Sequence, residues 1–219
     1  MSAELVYRLR PPRAEPDGAL VLMHGRGADE QDLEPLVGVL DPARRVVGFL
    51  PRGPLSLPPG GAHWYVVKQV GFPDPDTFLP TFAQLSDWVD SALAEVGVPP
   101  ERLVLAGFSQ GAVMAYSLAF GARRPKPAGV IAMSGFIPRI DGFDIDLGSR
   151  TGLPVAISHG TLDPIIGVQF GRAARDRLRE SGLDVRYVEE PVAHTIGPGA
   201  LVQARALVAD AVPGRSGRN

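Results

Sequence analysis

The stretch Leu103–Gly111, LVLAGFSQG, decides the fold class of this chain. Its first residues form a continuous apolar run, typical of a buried strand, and the segment Ala112–Phe120 that follows has the length and apolar spacing of a helix. Between them, residues 107–111 (GFSQG) have the pattern GxSxG, in which glycines permit a turn too tight for larger side chains. We therefore predict that Ser109 lies at a strand-to-helix turn with its hydroxyl exposed. The alternative is that Ser109 caps an ordinary helix.

Short apolar runs alternate with helix-like segments along the rest of the chain. This order predicts an α/β fold with a mostly parallel central sheet and helices on both faces, because parallel strands need crossover connections and are buried on both sides. The predicted strands span Leu5–Leu9, Ala19–His24, Arg45–Leu50, Arg102–Ala106, Ala128–Met133, Val155–His159 and Val185–Glu189. The predicted helices span Asp29–Val39, Phe78–Val96, Ala112–Phe120, Gln169–Glu180 and Ala200–Val212.

Composition predicts a single domain over residues 1–219. The chain has 219 residues, of which 45% are hydrophobic, so it is long enough to bury a large core. Its net charge is −2 and its lysines and arginines are scattered, so we expect no nucleic-acid partner. The absence of cysteine excludes disulfides, thiolate metal sites and a cysteine nucleophile, and it favours a reducing cytoplasm.

The apolar segments are short. Met1–Arg10 lacks the basic start and long apolar centre of a signal peptide, and no apolar run reaches the roughly 18 residues that a membrane span needs. We therefore expect a cytoplasmic protein without membrane insertion. The stretch Pro51–Asp76 is dense in proline and glycine, which predicts an excursion above the sheet with a short hairpin. Its aromatic residues are compatible with a contact between two copies in a homodimer.

A serine nucleophile needs a base within hydrogen-bond reach and an acid that orients the base. In a doubly wound sheet the functional groups gather at the C-terminal ends of the strands. Asp163 follows the strand that ends at His159, and His194 follows the strand that ends at Glu189. The chain order Ser109, Asp163, His194 is the one expected of α/β-hydrolases. We predict these residues as nucleophile, acid and base.

Each of these choices has a structural alternative. Asp163 also fits a turn or a helix start, and His194 also fits a helix cap or a buried histidine. His24 and His159 precede glycines at strand ends, where a ring can brace neighbouring loops, and His63 lies in the excursion. The rival acids lie in one polar loop and are Asp141, Asp144 and Asp146.

Acyl transfer also needs N–H donors for the oxygen that becomes negative. The N–H of Gln110 directly follows Ser109 and opens a helix, so it is one candidate. The N–H of Arg26 is the other, because its loop, residues 24–29 (HGRGAD), has glycines that allow a close approach. The same loop also fits a turn into a helix capped by Asp29.

Five motifs occur in the order HGRGAD, GFSQGA, SGFIP, HGTLDPIIG and AHTI. With these motifs the chain resembles the phospholipase/carboxylesterase family of small α/β-hydrolases, which includes bacterial carboxylesterases and acyl-protein thioesterases. The resemblance implies the α/β-hydrolase fold, catalytic roles for Ser109, Asp163 and His194, and oxyanion donation by the amides of Arg26 and Gln110. It requires no metal or organic cofactor.

The resemblance also implies that Trp64, which precedes Tyr65, and Ile166 line the substrate pocket, although each also fits a role in the core. The chain departs from the usual family pattern where Arg26 replaces an apolar residue and where alanines replace glycines, at Ala112 and Ala193. A cationic side chain at the mouth of the cleft disfavours lipid tails unless it points away.

We therefore expect a serine carboxylesterase that hydrolyses small carboxylic esters of short to medium acyl length through an acyl-enzyme. One alternative is an acyl-protein thioesterase or lysophospholipase that acts on long acyl chains. An alternative from another class is a non-catalytic ligand binder with the same fold. The expected partner is a small-molecule ester.

Overall fold

A seven-stranded sheet forms the centre of the computed structural model, which describes residues 5–214. The strands in chain order are β1 Tyr7–Arg10, β2 Gly18–Met23, β3 Val46–Pro51, β4 Leu55–Leu57, β5 Gly61–His63, β6 Val67–Gln69, β7 Phe72–Pro73, β8 Leu103–Phe108, β9 Gly129–Met133, β10 Pro154–Gly160 and β11 Asp184–Glu190. The order across the large sheet is β1-β3-β2-β8-β9-β10-β11. Only β1 in this sheet runs antiparallel, at the edge, so the predicted mostly parallel sheet is confirmed.

Helices cover both faces of the sheet. They are α1 Glu34–Leu40, α2 Pro75–Glu95, α3 Gln110–Phe120, α4 Val168–Glu180 and α5 Pro198–Ala211, with short 3₁₀ turns at Pro100–Arg102 and Gly148–Arg150. Successive residues of β8 face opposite layers, as a strand requires: Val104 belongs to the core cluster that includes α1 and α5, and Leu105 belongs to the cluster that includes α2, α3 and α4. Every residue of α3 is buried, because this helix lies between the sheet and α2.

The strand register brings distant loops to one edge of the sheet. Gly107 of β8 pairs with Met23 of β2 on one side and with Ala132 of β9 on the other. His159 of β10 pairs with Glu189 of β11 in the same direction. The loops that follow β2, β8, β10 and β11 therefore meet at the C-terminal ends of the parallel strands, where sites form in such sheets.

Two local predictions need correction. The first helix begins at Glu34 rather than at Asp29, since the Asp29 carboxylate accepts the Gln31 N–H at 2.9 Å and residues 30–33 form turns instead. The excursion holds two short antiparallel ribbons, β4–β5 and β6–β7, where one hairpin was expected. Within residues 5–214 no helix is both long and apolar enough to span a bilayer. Part of the segment Met1–Arg10 lies outside the described residues.

Candidate active site

Ser109 lies at the turn between β8 and α3 with a strained backbone. Its φ and ψ are 56° and −118°, a region that residues other than glycine rarely adopt. A Cβ on Gly107 would overlap the backbone of Gly111, and a Cβ on Gly111 would overlap the carbonyl of Met23. Both glycines are therefore required for the close approach of strand, turn and helix, as the GxSxG pattern predicts.

The predicted nucleophile, base and acid form one chain of hydrogen bonds. His194 Nε2 lies 2.9 Å from Ser109 Oγ, and His194 Nδ1 lies 2.6 Å from Asp163 Oδ2. The His194 side chain is 18% exposed, and its ring packs on Phe108 with a centroid distance of 4.8 Å. In this arrangement Nδ1–H donates to the carboxylate, which leaves Nε2 free to accept the serine proton.

The second carboxylate oxygen of Asp163 is held by the backbone. Its Oδ1 accepts the N–H groups of Ile165 and Ile166, each at 2.9 Å. Burial by itself raises the pKa of Asp163, but the hydrogen bonds from His194 and from these two amides outweigh burial and lower the pKa below its ordinary value. Asp163 is therefore an anion at neutral pH, with one oxygen aimed at the imidazole.

Glu190, which the sequence analysis did not single out, anchors the loop that carries His194. This residue ends β11, and its carboxylate accepts the N–H groups of Gly199 at 2.8 Å and Ala200 at 2.9 Å in the first turn of α5. The bonds close the loop 191–197 at its base, and the negative charge is favourable at a helix N-terminus. An acidic residue before a Gly-Pro-Gly helix start is the available signal, but the six intervening residues obscure it.

The other histidines have partners away from Ser109. His24 Nε2 accepts the Gly53 N–H at 2.9 Å, so its Nδ1–H donates to the Gly25 carbonyl at 2.7 Å. His159 Nε2 lies 2.7 Å from the Ile166 carbonyl, and His63 Nδ1 lies 3.1 Å from the Tyr65 carbonyl. Burial lowers the pKa of both His24 and His159, despite opposing hydrogen bonds, so both rings are neutral braces. The rival acids stay in the polar loop after β9.

The loop 24–29 runs directly beside Ser109. A Cβ on Gly25 would lie 3.4 Å from the Cβ of Ser109, and the loop is pinned to the excursion by two backbone hydrogen bonds with Ala62 at 2.8 Å. Within residues 5–214 the N–H of Arg26 has no hydrogen-bond acceptor, and that of Gln110 is the first in α3 and lacks an intrahelical one. Both amides are free, but their aim at a reacting oxygen stays a prediction.

The excursion is tied to the turn by the Gln110 side chain, a role that the sequence analysis missed. Its amide accepts the Trp64 N–H at 3.0 Å and donates to the Tyr65 carbonyl at 2.9 Å. The Trp64 indole is fully buried, and its N–H donates to the His24 carbonyl at 2.8 Å. Ile166 is also buried. Trp64 and Ile166 therefore support the loops around Ser109, and their contact with a substrate stays a prediction.

Residues 7–208 match the sequence profile of the family described as Phospholipase/Carboxylesterase. The chain belongs to the phospholipase/carboxylesterase family. This family member is 27% identical over 197 residues to acyl-protein thioesterase 1 of Candida albicans, covering 81% of this chain and 84% of that protein. It is 29% identical over 181 residues to acyl-protein thioesterase 1 of Yarrowia lipolytica, covering 76% and 78%.

The solved structures show the same architecture. The carboxylesterase of Bacillus cereus superposes with a TM-score of 0.81 at 24% sequence identity, over 95% of each chain. This likeness confirms the predicted α/β-hydrolase fold for this member of the phospholipase/carboxylesterase family.

Two of the three departures of this family member from the usual pattern have local explanations. Ala112 stands where a glycine is usual, and its methyl group would lie only 2.5 Å from a Cβ at position 135. Because residue 135 is a glycine, there is space for this methyl group. Arg26 and Ala193 are exposed, and nothing in the structure explains the alanine at 193. The exposed Arg26 is consistent with a cationic side chain that reaches solvent.

Proposed function

We propose that this chain is a serine carboxylesterase that hydrolyses small carboxylic esters of short to medium acyl length through an acyl-enzyme. The observation that carries the proposal is the continuous hydrogen-bonded chain from Asp163 through His194 to Ser109, with distances of 2.6 and 2.9 Å. These contacts supply a nucleophile, a general base and an anion that fixes the tautomer of the base.

Acylation begins when Ser109 Oγ attacks the ester carbonyl carbon and its proton passes to His194 Nε2. The Asp163 carboxylate stabilises the imidazolium that forms. The carbonyl oxygen, which is now negative, accepts hydrogen bonds from the free N–H groups of Arg26 and Gln110. The C–O bond to the alcohol then breaks as His194 returns the proton to the departing oxygen. The acyl group remains on Ser109.

Deacylation repeats these steps with water. His194 Nε2 takes a proton from a water molecule, whose oxygen attacks the acyl carbonyl carbon. The bond to Ser109 Oγ breaks as His194 protonates that oxygen, which releases the carboxylic acid and restores the starting state.

Active-site labelling with a fluorophosphonate probe tests this proposal. We expect an adduct on Ser109, and we expect Ser109→Ala and His194→Ala each to reduce p-nitrophenyl ester turnover to a weak background. A matched control is Ser91→Ala, since Ser91 is an exposed helix residue whose hydroxyl, within residues 5–214, bonds only the Asp87 carbonyl. A folded wild type that neither takes the probe nor turns over esters contradicts the proposal and favours a non-catalytic ligand binder.

A thioesterase or lysophospholipase that acts on long acyl chains is the second candidate. The names of the curated relatives favour it, because both are acyl-protein thioesterases. We expect kcat/KM to peak at short or medium acyl length and to fall for chains of about 16 carbons, because only a long apolar groove stabilises such a tail. A continued rise toward long acyl chains or a large preference for thioesters favours the second candidate.

A further inference from the structure

A cleft of about 470 Å³ lies between the β6–β7 ribbon, the loop after β9 and the first turns of α4. Its apolar wall includes three aromatic rings, those of Phe72, Phe136 and Phe170. Phe136 and Phe170 contact each other with a centroid distance of 5.6 Å, and Gly71 lies close against Phe170. The volume is within the range of small-molecule sites, which is about 300–1,000 Å³.

Two guanidinium groups border this apolar wall. Arg139, in the loop after β9, and Arg177, on α4, both line the cleft and are both exposed. Within residues 5–214 neither side chain forms an ion pair or a hydrogen bond. By contrast, Arg172 and Arg175 of the same helix pair with carboxylates at 2.7 Å. The two cations of the cleft are therefore available to an anion.

Two carboxylates compete for these cations. Asp141 and Asp144 border an adjoining hollow of about 570 Å³, which Arg139 and Arg177 also line. No ion pair joins either aspartate to either arginine. The aspartates reduce the positive potential of the rim, so a bound anion gains a moderate rather than a large advantage over a neutral group.

Two segments that line the cleft run close to the catalytic residues along the chain. Gly135 precedes Phe136, and a Cβ on Gly135 would lie 3.3 Å from the Ser109 carbonyl oxygen. On the other side, Phe170 donates its N–H to the Gly167 carbonyl at 3.0 Å, in the loop that begins at Asp163. The loop that leads to Phe136 thus passes beside the backbone of the nucleophile, and the segment that leads to Phe170 follows the acid in the chain.

We infer that this cleft binds the far end of an ester that carries a carboxylate, with Arg139 and Arg177 as the residues that recognise the anion. The inference rests on the proposed function and names its substrate class. The aromatic wall fits the apolar chain of such an ester, and the two arginines fit its terminal carboxylate. A plain alkyl tail would instead desolvate the arginines without pairing with them. The carboxylate belongs either to the acyl part or to the alcohol part.

Matched ester pairs test the inference. The first pair is the p-nitrophenyl monoester of a medium-length dicarboxylic acid and its ω-methyl ester, which place the charge in the acyl part. The second pair is an acetyl ester of an ω-hydroxy acid and its methyl ester, which place the charge in the alcohol part. We expect kcat/KM to favour the anionic member of one pair by about 5- to 30-fold, the effect of two partly exposed charge pairs.

The arginine variants locate the effect. In the double variant Arg139→Gln, Arg177→Gln, we expect the ratio of kcat/KM between the anionic and the neutral ester to fall to about one. In the wild type, we expect salt at about 1 M to lower the same ratio. Arg205→Gln is the matched control, because Arg205 is an exposed helical arginine on the opposite face, without an ion pair within residues 5–214, and its substitution keeps the ratio.

The outcomes separate this inference from the proposed function. Turnover of neutral esters that depends on Ser109, with no anionic preference in either pair, overturns the inference and leaves the proposed function standing. An anionic preference that survives in the double variant also overturns it. If the wild type turns over no ester, calorimetric binding of the ω-carboxy ester to Ser109→Ala, with and without the two arginines, decides the inference separately: arginine-dependent binding supports it, and its absence overturns it.

Discussion

Replacing Gln110 with methionine tests whether this side chain holds the excursion against the turn at Ser109. The Gln110 amide is 3% exposed and bonds the Trp64 N–H at 3.0 Å and the Tyr65 carbonyl at 2.9 Å. Methionine has a similar length and volume but forms neither bond. The buried Trp64 N–H therefore loses its partner, the Tyr65 carbonyl keeps its contact with His63 Nδ1 at 3.1 Å, and the core around them stays filled.

The expected loss of stability follows mainly from the Trp64 N–H. An orphaned buried polar group costs about 1–3 kcal/mol, and the lost bond to the Tyr65 carbonyl adds less because the His63 contact remains. We expect the free energy of unfolding to fall by about 1–3 kcal/mol. For a domain of this size that change lowers the melting temperature by about 2–12 °C.

Urea unfolding measures the change, with Gln31→Met as the matched control. Gln31 is exposed and its side chain forms no hydrogen bond within residues 5–214, so we expect the control to stay within about 0.5 kcal/mol of wild type. Hydrogen exchange at the Trp64 amide should accelerate in Gln110→Met alone. If Gln110→Met also unfolds within about 0.5 kcal/mol of wild type and Trp64 exchange is unchanged, the assigned role of the side chain is wrong.

Three further results are expected. Gly111→Ala should destabilise the fold by at least the roughly 1–3 kcal/mol of an overpacked site, because its Cβ overlaps the Met23 carbonyl; wild-type stability in thermal unfolding would contradict this. Asp163→Asn should lower kcat by about three to four powers of ten while the fold is retained, since the amide no longer fixes the imidazole tautomer; a loss below about tenfold in steady-state kinetics argues against the assigned acid. Burial lowers the pKa of His24 and His159 below 6.5, so as pH falls the unfolded chain binds protons before the folded chain does. The free energy of unfolding should therefore decrease below pH 6.5, by up to about 1.4 kcal/mol per pH unit for each ring. Urea unfolding at several pH values checks this, and His159→Gln should have a shallower slope than wild type.

Local patterns were sufficient to predict most of the elements. Branched apolar runs identified the strands of the large sheet, and all five helices appear near their predicted positions. The first helix was placed too early because apolar spacing does not reveal that Asp29 bonds the Gln31 N–H and forms a turn. The second ribbon of the excursion was missed because strands of two or three residues have too few positions to show alternation.

The candidate site could be predicted only as far as chain order and strand ends allowed. The position of Asp163 and of His194 after a parallel strand predicts their roles, but His24 and His159 also lie at strand ends. The structure distinguishes them by their partners: His24 bonds the Gly53 N–H, His159 lies against the Ile166 carbonyl, and His194 contacts Ser109. Those partners depend on how each loop closes, which no local periodicity records.

The sequence by itself determined the α/β class, the family and the strained turn at Ser109, because each depends on neighbouring residues whose spacing and size are printed in the chain. Only the tertiary structure decided that Gln110 holds the excursion, that Glu190 closes the loop of His194 and that two arginines with no ion pair among the described residues border one cleft. The physical reason is that these contacts join residues far apart in sequence. The register of the sheet and the packing of its loops bring such residues within a few ångströms of one another.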